Sequence, residues 1–272
     1  MSARVLRNGR VRLWLEPDDR GLAYGDGVFE TLLVHQGQPV WWREHWDRLL
    51  RGAQVLGLPV PDQMQVRREC ENLLVDSPRA VLKIILTRGS GGRGYGAPED
   101  PIPTVILSSH APPPPDKQPI TLRWCQTAMA IQPLLAGIKH LNRLEQVLAR
   151  AEWSDPKISD GIMCDAEDRV ICATSANIFA LIGGRWLTPG VERCGIAGIA
   201  RAWVLGNVPG SAEADLSSAE VSRAAALFLC NAVRGILPIR RLGLREWPEH
   251  EAIVKLRRQL AASQPAFAIQ EQ

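Results

Sequence analysis

The sequence predicts a two-domain protein of mixed α+β or α/β class. Three observations point there: a run of four prolines, short β-branched stretches ahead of it, and alternating helix-like and strand-like segments on both sides. The prolines lie in "SSHAPPPPDKQP", residues 108–119, and such a run suits neither a helix interior nor a central strand. It reads as a stiff extended connector. The predicted division is a small α+β domain over 1–110, a linker over 111–119 and a larger domain over 120–272.

In the first half, "VRLWLEP" reads as a strand and "GVFETLLVHQGQPVWW" as a hairpin turning at Gly37. "REHWDRLLRGAQVLGL" has helical periodicity, and a second helix is expected over about 62–75. "AVLKIILT" and "PTVILSS" read as buried strands. Beyond the prolines, "TLRWCQTAMAI" looks like a strand, and Asn142 with Glu145 has the spacing of a capping box for a helix through Trp153. Three short strands should follow, with turns at Ala166–Asp168 and Gly183–Gly184. Helices are then expected near 196–206 and 218–226, and "ALFLCNAVRGILPI" returns to strand.

The 272 residues are 46% hydrophobic and 22% charged with a net charge of +3, which suits a soluble globular protein acting on a small molecule. The arginines are scattered, so nucleic acid is not an expected partner. Six separated cysteines without a C-x-x-C pair argue against structural zinc. No stretch has the length of a membrane span and the N-terminus lacks an apolar signal region, so the expected location is cytoplasmic, with reduced thiols.

One motif misleads. "GSGGRG", residues 89–94, satisfies G-x-G-x-x-G after a strand, but prolines at 98, 101 and 103 forbid the helix that a dinucleotide site needs. A glycine-rich loop with Arg88, Arg93 and Tyr95 remains, suited to a ligand bearing carboxylates.

Lysine is scarce: five against twenty-seven arginines. Lys139, in "GIKHLNRLEQ", is placed by the reading above at a strand-to-helix junction. An arginine stays protonated, whereas a desolvated lysine can lose its proton and act as a nucleophile. Four ordered pieces, "AYGDGVFET" (23–31), "HWDRL" (45–49), "GIKHLNRLEQ" (137–146) and "SANIFALIGGRWLTP…CGIAGIAR" (175–201), together resemble the class IV family of pyridoxal-phosphate enzymes. "KIILTRGSGGRGYG" and "LAGIKHLNRLEQVLAR" look like its aminodeoxychorismate lyase branch.

The resemblance implies the type IV fold, a small α+β domain plus a larger one with a twisted, barrel-like sheet, and a homodimer using pyridoxal 5'-phosphate. It implies that Lys139 carries the cofactor covalently and that Arg48 grips its phosphate. Gly198, Ile199 and Ala200 would form a phosphate cup, with Asn177, Asn231 and Ala232 beside it. Phe29, Arg88, Arg93, Tyr95 and Asn142 would meet the substrate. Relatives carry a glutamate against the pyridine nitrogen where this chain has Cys172, a neutral thiol that serves a poorer electron sink. A lyase, a D-amino-acid or branched-chain aminotransferase, and a catalytically impaired cofactor-binding protein all remain open.

Overall fold

The computed structural model describes residues 2–114 and 119–268, so residues 115–118 of the expected linker lie outside the described residues. The chain divides into two compact units, Met1–Pro113 with Ile138–Asn142, and Pro114–Gly137 with Arg143–Gln272. No helix among the described residues is long and apolar enough to cross a membrane.

The first unit runs β1 (Ser2–Arg7), β2 (Arg10–Arg12), α1 (Arg20–Tyr24), β3 (Gly27–His35), β4 (Gln38–Pro39), α2 (Trp42–Leu56), α3 (Gln63–Leu74), β5 (Arg79–Thr87) and β6 (Thr104–His110). Its strands form one antiparallel sheet in the order β2-β1-β6-β5-β3-β4. Val28, Leu32 and Val34 of β3, Leu82, Ile84 and Leu86 of β5, and Trp46, Leu49, Val66 and Cys70 of the helices share one core. Strand side chains alternate between faces. Glu30 therefore falls in the same row as Val28 and Leu32, facing the helices, and Phe29 on the opposite face.

The expected strand from Val11 to Pro17 is shorter than predicted, because β2 stops at Arg12 and leaves Leu13 and Trp14 88% and 58% exposed. Asp19 then caps α1 by accepting from the Gly21 N–H. The hairpin at Gly37 and both predicted helices are present.

The second unit contains β7 (Ile120–Trp124), α4 (Leu144–Arg150), β8 (Asp160–Cys164), β9 (Val170–Ala173), β10 (Asn177–Ile182), β11 (Arg185–Thr188), α5 (Ile199–Asn207), β12 (Ala212–Glu213), α6 (Ser218–Arg223), β13 (Leu227–Asn231), β14 (Gly235–Leu242), β15 (Arg245–Glu246) and α7 (Glu251–Ser263). The strand order is β12-β11-β10-β13-β14-β7-β8-β9, with β15 beside β14. The edge strand β9 passes into the interior strand β10 through Thr174–Ala176 alone. Five strand spacings of a flat sheet measure about 24 Å, whereas that link reaches only about 14 Å. The sheet must curl on itself, as the barrel-like expectation requires.

Three details differ from the sequence reading. The strand after the prolines ends at Trp124, and the region from 160 to 188 holds four strands rather than three. No capping box starts α4: Arg143 is its N-cap without a side-chain bond, the Asn142 amide donates to the Gly25 carbonyl at 3.2 Å, and Glu145 accepts from Ala130 N at 2.9 Å. Longer-range partners claim both side chains first.

Candidate active site

In the first unit, Lys139 lies on an extended segment rather than at the end of a strand. The Phe29 N–H donates to the Lys139 carbonyl at 2.9 Å, the Leu141 N–H donates to the Gly27 carbonyl at 3.0 Å, and α4 starts only at Leu144. Residues 139–141 thus pair with the start of β3, which fixes the lysine's backbone. Its Nζ stands 4.1 Å from the Phe29 ring centroid, and the Lys83 ammonium is 5.1 Å from the same ring.

Behind that ring, on the helix side of β3, lies a buried ionic cluster. Arg48 donates from Nε to Glu30 Oε1 at 2.8 Å and from Nη2 to Oε2 at 2.6 Å, and His45 Nδ1 is 2.6 Å from Oε2. All three side chains are nearly inaccessible. Burial by itself would raise the Glu30 carboxyl, but the Arg48 charge and the bonds from Arg48 and His45 outweigh it and bring it down to about 2. Desolvation pushes His45 below its ordinary range, against the pull of Glu30, with the charges of Arg48 and Lys139 adding to the fall. Sequence reasoning singled out Arg48 but not its buried partners Glu30 and His45. The signal was a carboxylate in the inward row of β3 and a histidine three residues before Arg48 on α2.

The glycine-rich loop also belongs to this unit. Arg88 is held internally: it donates to Asp26 at 2.7 and 3.2 Å and to the carbonyls of Leu56 and Gly57 at 2.6 and 2.7 Å. Arg93 makes no hydrogen bond or ion pair among the described residues, and Tyr95 is 87% exposed. Gly89 is required where it stands: its φ is +87°, and a Cβ would lie 1.9 Å from the Ile102 carbonyl oxygen.

In the second unit, α5 begins at Ile199 with Gly198 as N-cap and no side-chain cap. The first N–H groups of a helix have no acceptor within it and carry partial positive charge, an arrangement fit for a phosphate. Gly198 is needed beside them, because a Cβ there would fall 2.0 Å from Asn177 Oδ1. Asn177 in turn donates to the Ile196 carbonyl at 3.0 Å. Asn231 accepts from Val233 N and Arg234 N at 3.0 and 2.8 Å, shaping the turn that carries buried Ala232. Cys172 is buried in β9 with Sγ 3.6 Å from Met129 Sδ, and desolvation pushes its thiol up to about 12. Nearby Asp160 acts in the same direction, whereas the charge of Arg143, which sequence reasoning did not single out, opposes it.

The family model for amino-transferase class IV matches residues 27–242, spanning both units. The chain belongs to the class IV aminotransferase family. As a class IV enzyme it uses pyridoxal phosphate, and the uncapped helix start with its glycine cradle fits that group. The chain is 32% identical to an aminodeoxychorismate lyase of Vibrio harveyi over 261 residues, covering 93% of this chain and 96% of the relative. It is 30% identical to a putative branched-chain-amino-acid aminotransferase of Methanocaldococcus jannaschii, covering 67% and 65% of the two chains. The crystal structure of 4-amino-4-deoxychorismate lyase from Pseudomonas aeruginosa superposes with a TM-score of 0.89 at 41% identity, covering 96% of this class IV chain and 99% of that one. The type IV fold expected from the resemblance is therefore present.

Proposed function

We propose that this class IV enzyme is a lyase that converts 4-amino-4-deoxychorismate into 4-aminobenzoate and pyruvate, a step of folate synthesis. The observation that carries the reading is the likeness to such lyases along almost the whole of both chains. By the same family resemblance we propose a cytoplasmic homodimer, which light scattering at twice the chain mass checks.

Bound pyridoxal phosphate supplies an electrophilic carbon for the substrate's amine and a ring that accepts electrons. Lys139 would hold the cofactor through its Nζ in the absence of substrate, and once the substrate's amine had taken that place the freed Nζ would take the proton from the substrate carbon bearing the amine. The ether C–O bond breaks, the ring becomes aromatic, and the departing enolpyruvate takes a proton to become pyruvate. The N–H groups of Ile199 and Ala200 meet the phosphate from the helix start that Gly198 opens. Arg48 supports that phosphate with a guanidinium oriented by Glu30. Asn177 fixes the approach to the cup, with Asn231 and Ala232 on its other side. Arg93 and Tyr95 meet a substrate carboxylate, with Phe29 and Asn142 near the reacting end and Arg88 holding the base of the loop.

Cys172 also supports elimination over amino transfer. A buried neutral thiol cannot hold a proton on the pyridine nitrogen as a carboxylate does, so transamination loses more than an elimination driven by aromatisation. Cys172→Glu is expected to raise the ratio of transamination to elimination by about tenfold. An unchanged or lower ratio in the folded, cofactor-loaded variant contradicts this role.

Arg93→Ala is expected to raise KM for aminodeoxychorismate by about tenfold or more, the loss of one charge-assisted contact of roughly 1.5–3 kcal/mol. Cofactor content should not change. The reading as a whole is tested by offering the enzyme 2-oxoglutarate with D-alanine or L-leucine, and separately aminodeoxychorismate. Release of 4-aminobenzoate should be the faster reaction by at least about a hundredfold; faster amino transfer would make the protein an aminotransferase.

A further inference from the structure

The tip of the glycine-rich loop has no sheet or helix to satisfy its carbonyls, and one side chain does so instead. Arg20, at the start of α1 and 5% exposed, donates from Nη1 to the carbonyls of Gly94 and Gly96, both at 3.1 Å, and from Nη2 to that of Tyr95 at 2.9 Å. Its Nε donates to Asp26 Oδ2 at 2.9 Å, the oxygen that also receives Arg88 Nε. The guanidinium lies 4.9 Å from the Tyr24 ring, which packs against the Tyr95 ring at 5.5 Å. The Arg20 N–H donates to the Gly89 carbonyl at 2.9 Å, and a Cβ on Gly91 would lie 2.7 Å from Arg20 Cδ. One buried guanidinium thus binds three consecutive carbonyls just beyond Arg93, while the Arg93 side chain stays exposed.

We infer that Arg20 is a positioning residue: it fixes the backbone of the loop tip so that Arg93 and Tyr95 are presented to the substrate carboxylate in one geometry. This rests on the proposed function, in which those two residues contact the substrate. A glycine-rich hexapeptide left alone samples many conformations. The forked, planar donor set of an arginine suits three carbonyls and a carboxylate at once, whereas a lysine ammonium, a compact point charge, does not.

Arg20→Lys keeps a cation beside Asp26 and removes the fork. KM for aminodeoxychorismate should rise about tenfold or more, the scale of misplacing a contacting group by about an ångström, with kcat changed less than about twofold and cofactor absorption unaltered. Trypsin cleavage after Arg93 in the folded protein should accelerate by about tenfold, reporting the loop without reference to activity. In the double variant with Arg93→Ala, KM should rise by less than the product of the two single effects, since both changes remove the Arg93 contact and only that of Tyr95 is left for Arg20→Lys to disturb. Gly91→Ala, which crowds the Arg20 stem without removing its charge, should shift KM and cleavage in the same direction and serves if Arg20→Lys does not fold. Unchanged KM and cleavage in Arg20→Lys, or in Gly91→Ala where that replaces it, beside a raised KM in Arg93→Ala overturn this inference and leave the proposed function standing. Unchanged KM in Arg93→Ala removes the loop from the proposed function and this inference with it.

Discussion

Lys139→Ala is expected to lower turnover by about a thousandfold or more, within the range assigned to a positioned acid–base group. The fold should survive. The segment's backbone bonds to β3 run through the carbonyl of Lys139 and the N–H of Leu141, which the substitution keeps. The lost contact of Nζ with the Phe29 ring is of a kind worth about 0.5–1 kcal/mol. Reduction with borohydride should fix the cofactor to Lys139 in the wild-type protein and to no residue in the variant. An adduct mapped to Lys83, the other ammonium beside Phe29, would transfer the role to that residue.

Glu30→Gln should carry the largest cost in stability, about 3–5 kcal/mol, the usual consequence of breaking a buried ion pair from one side. The substitution withdraws the carboxylate at which the buried Arg48 and His45 are both aimed. The pH dependence follows from the same cluster. Glu30 falls from the ordinary 4.5 to about 2 in the folded protein, so its contribution is complete above about pH 4.5 and is lost as pH drops toward 2. His45, also depressed, favours the neutral form when folded, so acidification below 6.5 costs stability through it as well. Thermal melts should therefore decline below about pH 6.5 and more steeply below 4.5. In Glu30→Gln the steeper part should flatten relative to wild type; an identical profile would remove Glu30 as its source.

Local pattern made much of the fold legible. The alternation in β3, the turn at Gly37, the periodicity of α2 and the β-branched runs of β5 and β6 are short-range signals, and the elements they predict are present. Long-range claims on polar side chains were not legible. Asn142 and Glu145 have capping-box spacing, yet one bonds across 117 positions to Gly25 and the other to Ala130, so α4 starts uncapped by side chains. Leu13 and Trp14 read as strand, but β2 ends before them and both face solvent. The C-terminal helix α7 was overlooked although Ile253, Leu256 and Leu260 bear its buried stripe.

The site divides in the same way. Lys139, Arg48 and the glycine cup were read from motif resemblance, which carries residue identities but not their partners. Glu30 looked like one more position in an alternating strand, because His45 and Arg48, the reasons for its burial, lie on another element. Arg20 was hidden for a similar cause: its carbonyl partners lie 74 to 76 positions further along the chain. Arg88 and Arg93 looked equivalent in sequence, and only the bonds of Arg88 to Asp26 and to the end of α2 separate an internal cross-link from an exposed cation.

The measurement that bears most directly on the account is a product analysis on the cofactor-loaded enzyme given 4-amino-4-deoxychorismate and no amino acceptor. 4-Aminobenzoate and pyruvate should form in equal amounts over many turnovers, with both lost in Lys139→Ala. Consumption of no substrate by the loaded enzyme, or pyruvate and 4-aminobenzoate formed at the same rate by Lys139→Ala, would contradict it.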